Sequence, residues 1–251
     1  MAKTKQTDNA EFILKTNETL ANAIRRSTGQ ISVLAIEDVE IHKNDSALYD
    51  EIIAHRLGLI PLKDTRKLVE PNKCSCNGKG CSKCQIKISL KAKGPVTVYS
   101  GDLKGDIGIV YDKIPVVILD KDQSLELVAF AQLGKGVNHT KFLPGLIYYR
   151  NISEIKVRNP ASVEKIIPKL IDSIIDGPKS KPKLGDVYKC TKDEDYILSF
   201  LDDANAVEIS PGENIVFFVE SWGQMSSKEI FFEAVKSFNN NLKIISKALK
   251  K

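Results

Sequence analysis

A chain of 251 residues has room for one or two domains with a real core. With 42% hydrophobic and 27% charged residues it is neither collagen-like nor disordered nor a disulfide scaffold, and a formal charge of +5 is too mild to establish nucleic-acid binding. No apolar run approaches the ~20 residues that span a bilayer. Met1 to Asn9 is polar and has no signal-peptide core, so the expected setting is cytoplasmic, with no membrane partner.

In chain order, Glu11 to Lys15 predicts a short strand. Asn17 can cap a helix whose apolar face is Leu20, Ala23 and Ile24, with Arg25 and Arg26 in its last turn and Gly29 as a left-handed stop. Ile31 to Ile41 alternates as extended chain with a break near Asp38. Asp45 or Ser46 can start a helix over Ala47 to Leu57 with Leu48, Ile52 and Ile53 as its buried stripe, ended by Gly58. Strands are expected at Gln85 to Leu90, Val96 to Ser100, Val116 to Leu119, Leu125 to Gln132 and Ile147 to Val157, with a turn at Asp120 to Ser124. Ser162 to Ile175 reads as a helix that Pro168 ends or kinks. Gly177 to Gly185 reads as an exposed connection, Asp193 to Asp203 as a helix and Ile215 to Glu220 as a strand.

The last segment carries the clearest helical pattern. Ser226 and Glu229 form a capping box, and Phe231, Ala234, Val235, Phe238, Leu242, Ile245 and Leu249 fall on one face. Such a rod, roughly 37 Å long at 1.5 Å per residue, must bury that face in its own core or against a partner helix.

Four of the five cysteines, Cys74, Cys76, Cys81 and Cys84, fall within eleven residues. In a reducing compartment that spacing reads as a metal site before it reads as disulfides. Four thiolates suit a tetrahedral structural zinc, with Gly78 and Gly80 letting the backbone reverse; an iron–sulfur cluster or free thiols are the alternatives. The segment Lys63 to Lys93 holds nine cations, Arg66 among them, against Asp64 and Glu70. Its excess of seven could touch nucleic-acid phosphates or form a solvated face. Catalytic patterns are not found. His42, His55 and His139 form no zinc-protease motif, Gly134-Lys-Gly136 is too short for a phosphate loop, and the carboxylates Asp193, Glu194 and Asp195 and the pair Asp202–Asp203 read as solvated helix faces.

Several segments, in this order, resemble the α-like subunits of multisubunit RNA polymerases, and among them the archaeal branch that is the counterpart of the third subunit of eukaryotic RNA polymerase II. They are Thr19-Leu-Ala-Asn-Ala-Ile-Arg-Arg26, Glu51-Ile-Ile-Ala-His-Arg-Leu-Gly-Leu-Ile-Pro-Leu62, Ala131-Gln-Leu-Gly-Lys-Gly-Val-Asn-His139 running on to Pro144, and Val219-Glu-Ser-Trp-Gly223. Thr140 and Phe142 stand where the family usually has Ala and Trp. The resemblance implies an α+β fold: a discontinuous dimerisation domain (1–45, 147–159 and 210–251), an inserted β-rich domain (46–146) and a third insert (160–209). It implies no active site in this chain. The chain would pair with a smaller α-like subunit, subunit L, to form a platform for the second-largest subunit and small assembly subunits, meeting DNA only through the complex. Leu20, Ile24, Phe231, Val235, Phe238, Leu242 and Ile245 would serve the dimer; Arg25, Arg26, Arg56, His139 and Lys141 would contact the other subunits. Some archaeal members carry an iron–sulfur site in the third insert; Cys190 alone cannot hold one, so none is expected. The rival readings are a free-standing zinc-containing nucleic-acid-binding protein and, more remotely, a chaperone-like zinc module.

Overall fold

The computed structural model describes residues 8–63 and 67–250. Asp64 and Arg66 of the basic segment, and nearly all of the polar N-terminal stretch, lie outside the described residues. In chain order the strands and helices are β1 (Asn9–Lys15), α1 (Glu18–Ser27), β2 (Ser32–Asn44), α2 (Asp50–Gly58), β3 (Leu62–Lys63), β4 (Gln85–Lys93), β5 (Val96–Tyr99), β6 (Gly108–Ile109), β7 (Pro115–Leu119), β8 (Ser124–Lys135) and β9 (Gly145–Val157). There follow α3 (Pro160–Leu170), β10 (Ile174–Asp176), β11 (Val187–Cys190), α4 (Glu194–Leu198), β12 (Val207–Ser221) and α5 (Ser227–Ala248). No described helix is long and apolar enough to cross a membrane. The fold is mixed α and β, with antiparallel ladders, and divides into two compact units.

One unit comprises the described parts of Met1–Asn9, Arg26–Leu146 and Val219–Lys251. Its centre is the antiparallel sheet β2-β8-β4. Alternation along β4 and β8 turns Ile86, Ile88, Leu90, Leu125, Leu127, Ala129 and Ala131 to one face, where they meet Ile53 and Leu57 of α2. The expected break near Asp38 is a bulge: the β2–β8 register shifts between Ile36 and Asp38, and the strand continues to Asn44. Truncating Leu57, fully buried in this core, to Ala is expected to destabilise the unit by about 2–5 kcal/mol, read from a urea melt of the wild type and variant.

The other unit, Ala10–Arg25 and Ile147–Phe218, carries most of the five-stranded sheet β1-β12-β9-β11-β10. β12, between β1 and β9, is buried without a break from Ile215 to Val219. A second core, made by Ile155, Val163, Ile166, Leu170, Tyr188, Cys190 and Ile197 among others, fills this region. Cys190 is therefore a core residue, and burial pushes its thiol up.

Several boundaries differ from the sequence pattern, each for a local reason. Asp45 and Ser46 do not cap α2. Asp45 accepts hydrogen bonds from the Ser124 N–H (3.1 Å) and hydroxyl (2.8 Å), and Ser46 donates to Asn44, which itself donates to the Leu48 carbonyl at 2.8 Å. This polar turn delays the helix to Asp50, and the buried pair becomes Ile53 and Leu57, with Ile52 46% exposed. Gly29 is not a left-handed stop; α1 tightens into a 3-10 turn over Thr28–Gln30. The helix expected over Ser162 to Ile175 ends at Leu170, two residues past Pro168, and Ile174 enters a strand. That expected over Asp193 to Asp203 is the short α4. Asp193 caps it, accepting from the Tyr196 N–H at 2.9 Å, and Asp203 caps the turn at Ala204, so these carboxylates end helices rather than line a face. The strand at Ile215 extends back to Val207 through Pro211 and Gly212, which had masked its pattern.

Candidate metal centre and assembly surfaces

The metal loop hangs between Leu68, which is buried in the core, and the start of β4. Asn77, Gly78 and Gly80 all take left-handed backbone angles (φ +53°, +79° and +84°), which folds the chain back on itself. At Gly80 a Cβ would stand 2.4 Å from the Gln85 amide oxygen, which would have to swing aside, and the left-handed backbone itself disfavours any side chain there. The Cys81–Cys84 turn is closed by the Cys84 and Gln85 N–H groups donating to the Cys81 carbonyl (3.0 and 2.9 Å), while the Cys81 N–H points to the Cys84 sulfur at 3.4 Å.

These turns gather all four sulfurs within 4.8 Å of one another. Cys74–Cys81 and Cys76–Cys84 are 3.5 Å apart and Cys81–Cys84 3.8 Å. A tetrahedron of ~2.3 Å metal–sulfur bonds has edges of about 3.8 Å, so the quartet is sized for one ion. The thiols already compete for their protons. Burial opposes ionisation of Cys76, but hydrogen bonds from Cys74, Cys84 and Cys81 and from the Gly78 N–H outweigh it and bring it down to about 6. Cys84 is pushed up to about 12, first by burial and then by its bonds to the other three sulfurs. A cation entering such a group displaces the remaining protons. The four cysteines can thus hold a metal ion.

Glu70 ties this loop to the sheet. Its carboxylate accepts the Ser32 hydroxyl of β2 and sits 3.0 Å from the Lys73 ammonium and 3.9 Å from that of Lys135 in β8. Burial works against its charge, but these partners outweigh it and hold its carboxyl below the usual carboxylate range. A lowered folded value means stabilisation that is present above the unfolded pKa and lost as pH falls through the folded one. Glu70→Gln is therefore expected to lower the thermal midpoint at pH 7 and to match the wild type once pH is well below the carboxylate range.

The second gathering of predicted residues surrounds Lys141. Its ammonium lies 2.5 Å from Glu37, at the bulge of β2, and its N–H donates to His139 Nδ1 at 3.1 Å. Glu37, His139 and Lys141 together line two clefts of about 300 and 220 Å³. Glu37 carries no motif of its own; the only sequence trace of its role is the interrupted alternation beside Asp38. The glycines before it in the motif serve packing. A Cβ on Gly134 would meet the Phe142 ring at 2.5 Å, and one on Gly136 would meet Leu143 at 2.3 Å. Arg25, Arg26 and Arg56 are exposed on their helices, with Arg25 bonded to Asn22 at 2.9 Å.

Along α5 the apolar face divides in two. The predicted capping box is present, the Ser226 N–H donating to Glu229 at 2.8 Å. Ile230, Phe231 and Ala234 are buried, and the first turns pack on the Thr28–Gln30 turn. Val235 and Phe238 are half-buried, and every residue from Asn239 to Lys250 is exposed. Leu242 and Ile245, 46% and 56% exposed, continue the stripe into solvent. On α1, Leu20 is exposed, whereas Ile24, like Phe231, is buried by the chain itself.

The sequence of residues 39–146 matches the family described as the RNA polymerase Rpb3/RpoA insert domain. Along most of its length the chain is 32% identical to the DNA-directed RNA polymerase subunit Rpo3 of Archaeoglobus fulgidus, over 95% of this chain and 93% of that one. The chain belongs to the Rpo3 family of DNA-directed RNA polymerase subunits. The Rpo3 subunit of Pyrococcus horikoshii is 35% identical over 90% of this chain and 88% of its own, and that of Methanopyrus kandleri 33% over 97% and 92%. This family is the one the four sequence segments resemble, and the matches give no support to a free-standing nucleic-acid-binding protein. Its insert-domain match begins within β2 and contains the cysteine quartet, β4, β8, His139 and Lys141, with Glu37 just before it.

Proposed function

We propose that the chain is the non-catalytic assembly subunit of its polymerase: it pairs with a smaller α-like subunit, and the pair is the platform on which the second-largest subunit and small assembly subunits gather. The observation that carries this is α5. A 22-residue helix, about 33 Å long, is packed through its first turns and exposed from Asn239 onward, yet its apolar stripe does not stop there. An apolar face continued into solvent marks an interaction surface, and obligate interfaces are the more apolar class. On α5, Val235, Phe238, Leu242 and Ile245 meet the partner, anchored by buried Phe231; on the other unit, Leu20 of α1 does so, with Ile24 buried behind it. In this reading the dimerisation domain is discontinuous (1–45, 147–159 and 210–251), 46–146 is the insert and 160–209 the third domain.

The metal is a structural zinc held by Cys74, Cys76, Cys81 and Cys84. Four protein ligands leave no position for a water, and the sulfurs stand too close together to surround an iron–sulfur cluster. The third domain relies on its apolar core and takes no cluster. Arg25, Arg26, Arg56, His139 and Lys141 contact neighbouring subunits, and nucleotidyl transfer belongs to other chains. Co-expression with the small α-like subunit and size-exclusion chromatography test the reading: a one-to-one complex supports it, and separate elution of two folded chains overturns it.

A further inference from the structure

The outer face of the β2-β8-β4 sheet carries a charge pattern that none of these roles uses. β4 is its edge strand. Its even-numbered residues enter the core, and Lys87, Ser89, Lys91 and Lys93 are exposed on the other face. Alternate residues on a strand recur every ~6.6–6.8 Å, so the three ammoniums stand in one column. Lys104, whose backbone exchanges two 2.8 Å hydrogen bonds with Ser89, adds a fourth beside it. Lys91 is paired with Glu126 at 3.0 Å; among the described residues no carboxylate forms an ion pair with Lys87, Lys93 or Lys104.

One strand inward, Val128 and Phe130 of β8 are half-buried on the same face, outside the core. One strand further, Asp38 and Glu40 of β2, in register with Phe130 and Val128, are exposed. In the Lys87 row base, apolar and acid thus follow one another at the ~4.8 Å strand spacing; the next row is Ser89, Val128 and Glu40, and the third is Lys91, Glu126 and Lys43. A nucleic acid is wider than one strand, and its phosphates would meet Glu126, Asp38 and Glu40 as well as the lysines. A single extended peptide has the width and the two-residue repeat of the lysine column. Because Ser89 turns its backbone groups away from β8 to Lys104, ladder alternation turns those of Lys91 and Lys93 to the same open side.

We propose that the β4 edge docks an acidic peptide in extended conformation beside Lys91 and Lys93, its carboxylates set against those two ammoniums, because the Lys104–Gly105 segment already lies against the edge at Lys87 and Ser89. This is strand addition with charge supplying the selectivity. The test uses the full-length chain and a fluorescein-labelled octapeptide of alternating Glu and Val, followed by anisotropy. Binding that Lys91→Glu/Lys93→Glu weakens at least tenfold, that Lys91→Gln/Lys93→Gln weakens less, and that an alternating Lys/Val peptide does not reproduce is the expected result. Unchanged binding in the variants overturns it. So does no binding to the wild type, which would leave the lysines as guards against edge-to-edge pairing. Tighter binding of a single-stranded oligonucleotide of equal charge through the same lysines also overturns it. Unchanged metal content and circular dichroism certify the folded variants, and neither subunit pairing nor zinc enters the readout.

Discussion

Replacing Phe238 and Leu242 together by glutamate is expected to abolish pairing with the small α-like subunit while leaving this chain folded. Both side chains lie on the stripe of α5 beyond its buried anchor of Ile230, Phe231 and Ala234. Neither fills the core, and glutamate is a good helix former, so the helix itself tolerates the change. The interface does not. Each substitution removes apolar contact and forces a carboxylate either out of the seam or into it without a partner, and an unpaired buried charge is strongly unfavourable. Hot-spot side chains cost at least about 2 kcal/mol apiece when lost, so the pair corresponds to a rise in Kd of roughly a thousandfold. Loss of the joint peak in size-exclusion chromatography, with the helical signal retained, checks it. Continued co-elution at micromolar concentration would sink the assignment of α5 as the seam.

The second large effect concerns the cysteine quartet. Cys81→Ser is expected to release the metal and to leave pairing intact. Cys81 touches two other sulfurs, Cys74 at 3.5 Å and Cys84 at 3.8 Å, and its backbone closes the turn that delivers Cys84. A serine hydroxyl does not replace a thiolate for a soft ion, and the loss should exceed the 10–100-fold that changes outside the ligand set bring. Metal content by plasma emission should fall from about one per chain to near zero. The residues around Lys73 to Lys83 should then become open to trypsin, since the turn at Asn77 and Gly78 is closed by few other bonds. Metal retained at full occupancy, or loss of subunit pairing at normal folding yield, would contradict the separation of the two roles.

Much of the candidate site was legible because its signals are local. Four cysteines within eleven residues, a capping box at Ser226 and glycines at a backbone reversal each state their chemistry within one turn of chain. The strands of the insert were legible because alternation is dense there: β4 and β8 each place core residues at every second position. What stayed hidden depends on partners distant in sequence. The start of α2 is decided by Asp45 reaching Ser124, 79 positions away. Glu37 gains its place from Lys141, and Gly134 from the ring of Phe142. The stripe of α5 was visible as a stripe. Periodicity, however, says which face is apolar and not what covers it, so Phe231 and Leu242 looked alike although one is sealed in the core and the other stands in solvent.

That divided helix also bears on how much of this protein a cell can keep. A chain by itself presents Leu242, Ile244, Ile245 and Leu249 to the surroundings, and the proposed pairing would withdraw the same residues. The folded state then gains RT ln(1 + [partner]/Kd), so its lifetime follows the supply of the other subunit rather than its own sequence. Under the proposed pairing, surplus chains showing an apolar rod tip to chaperones and proteases would be the ones removed, and stoichiometry would be enforced by an end of a helix that has no core of its own.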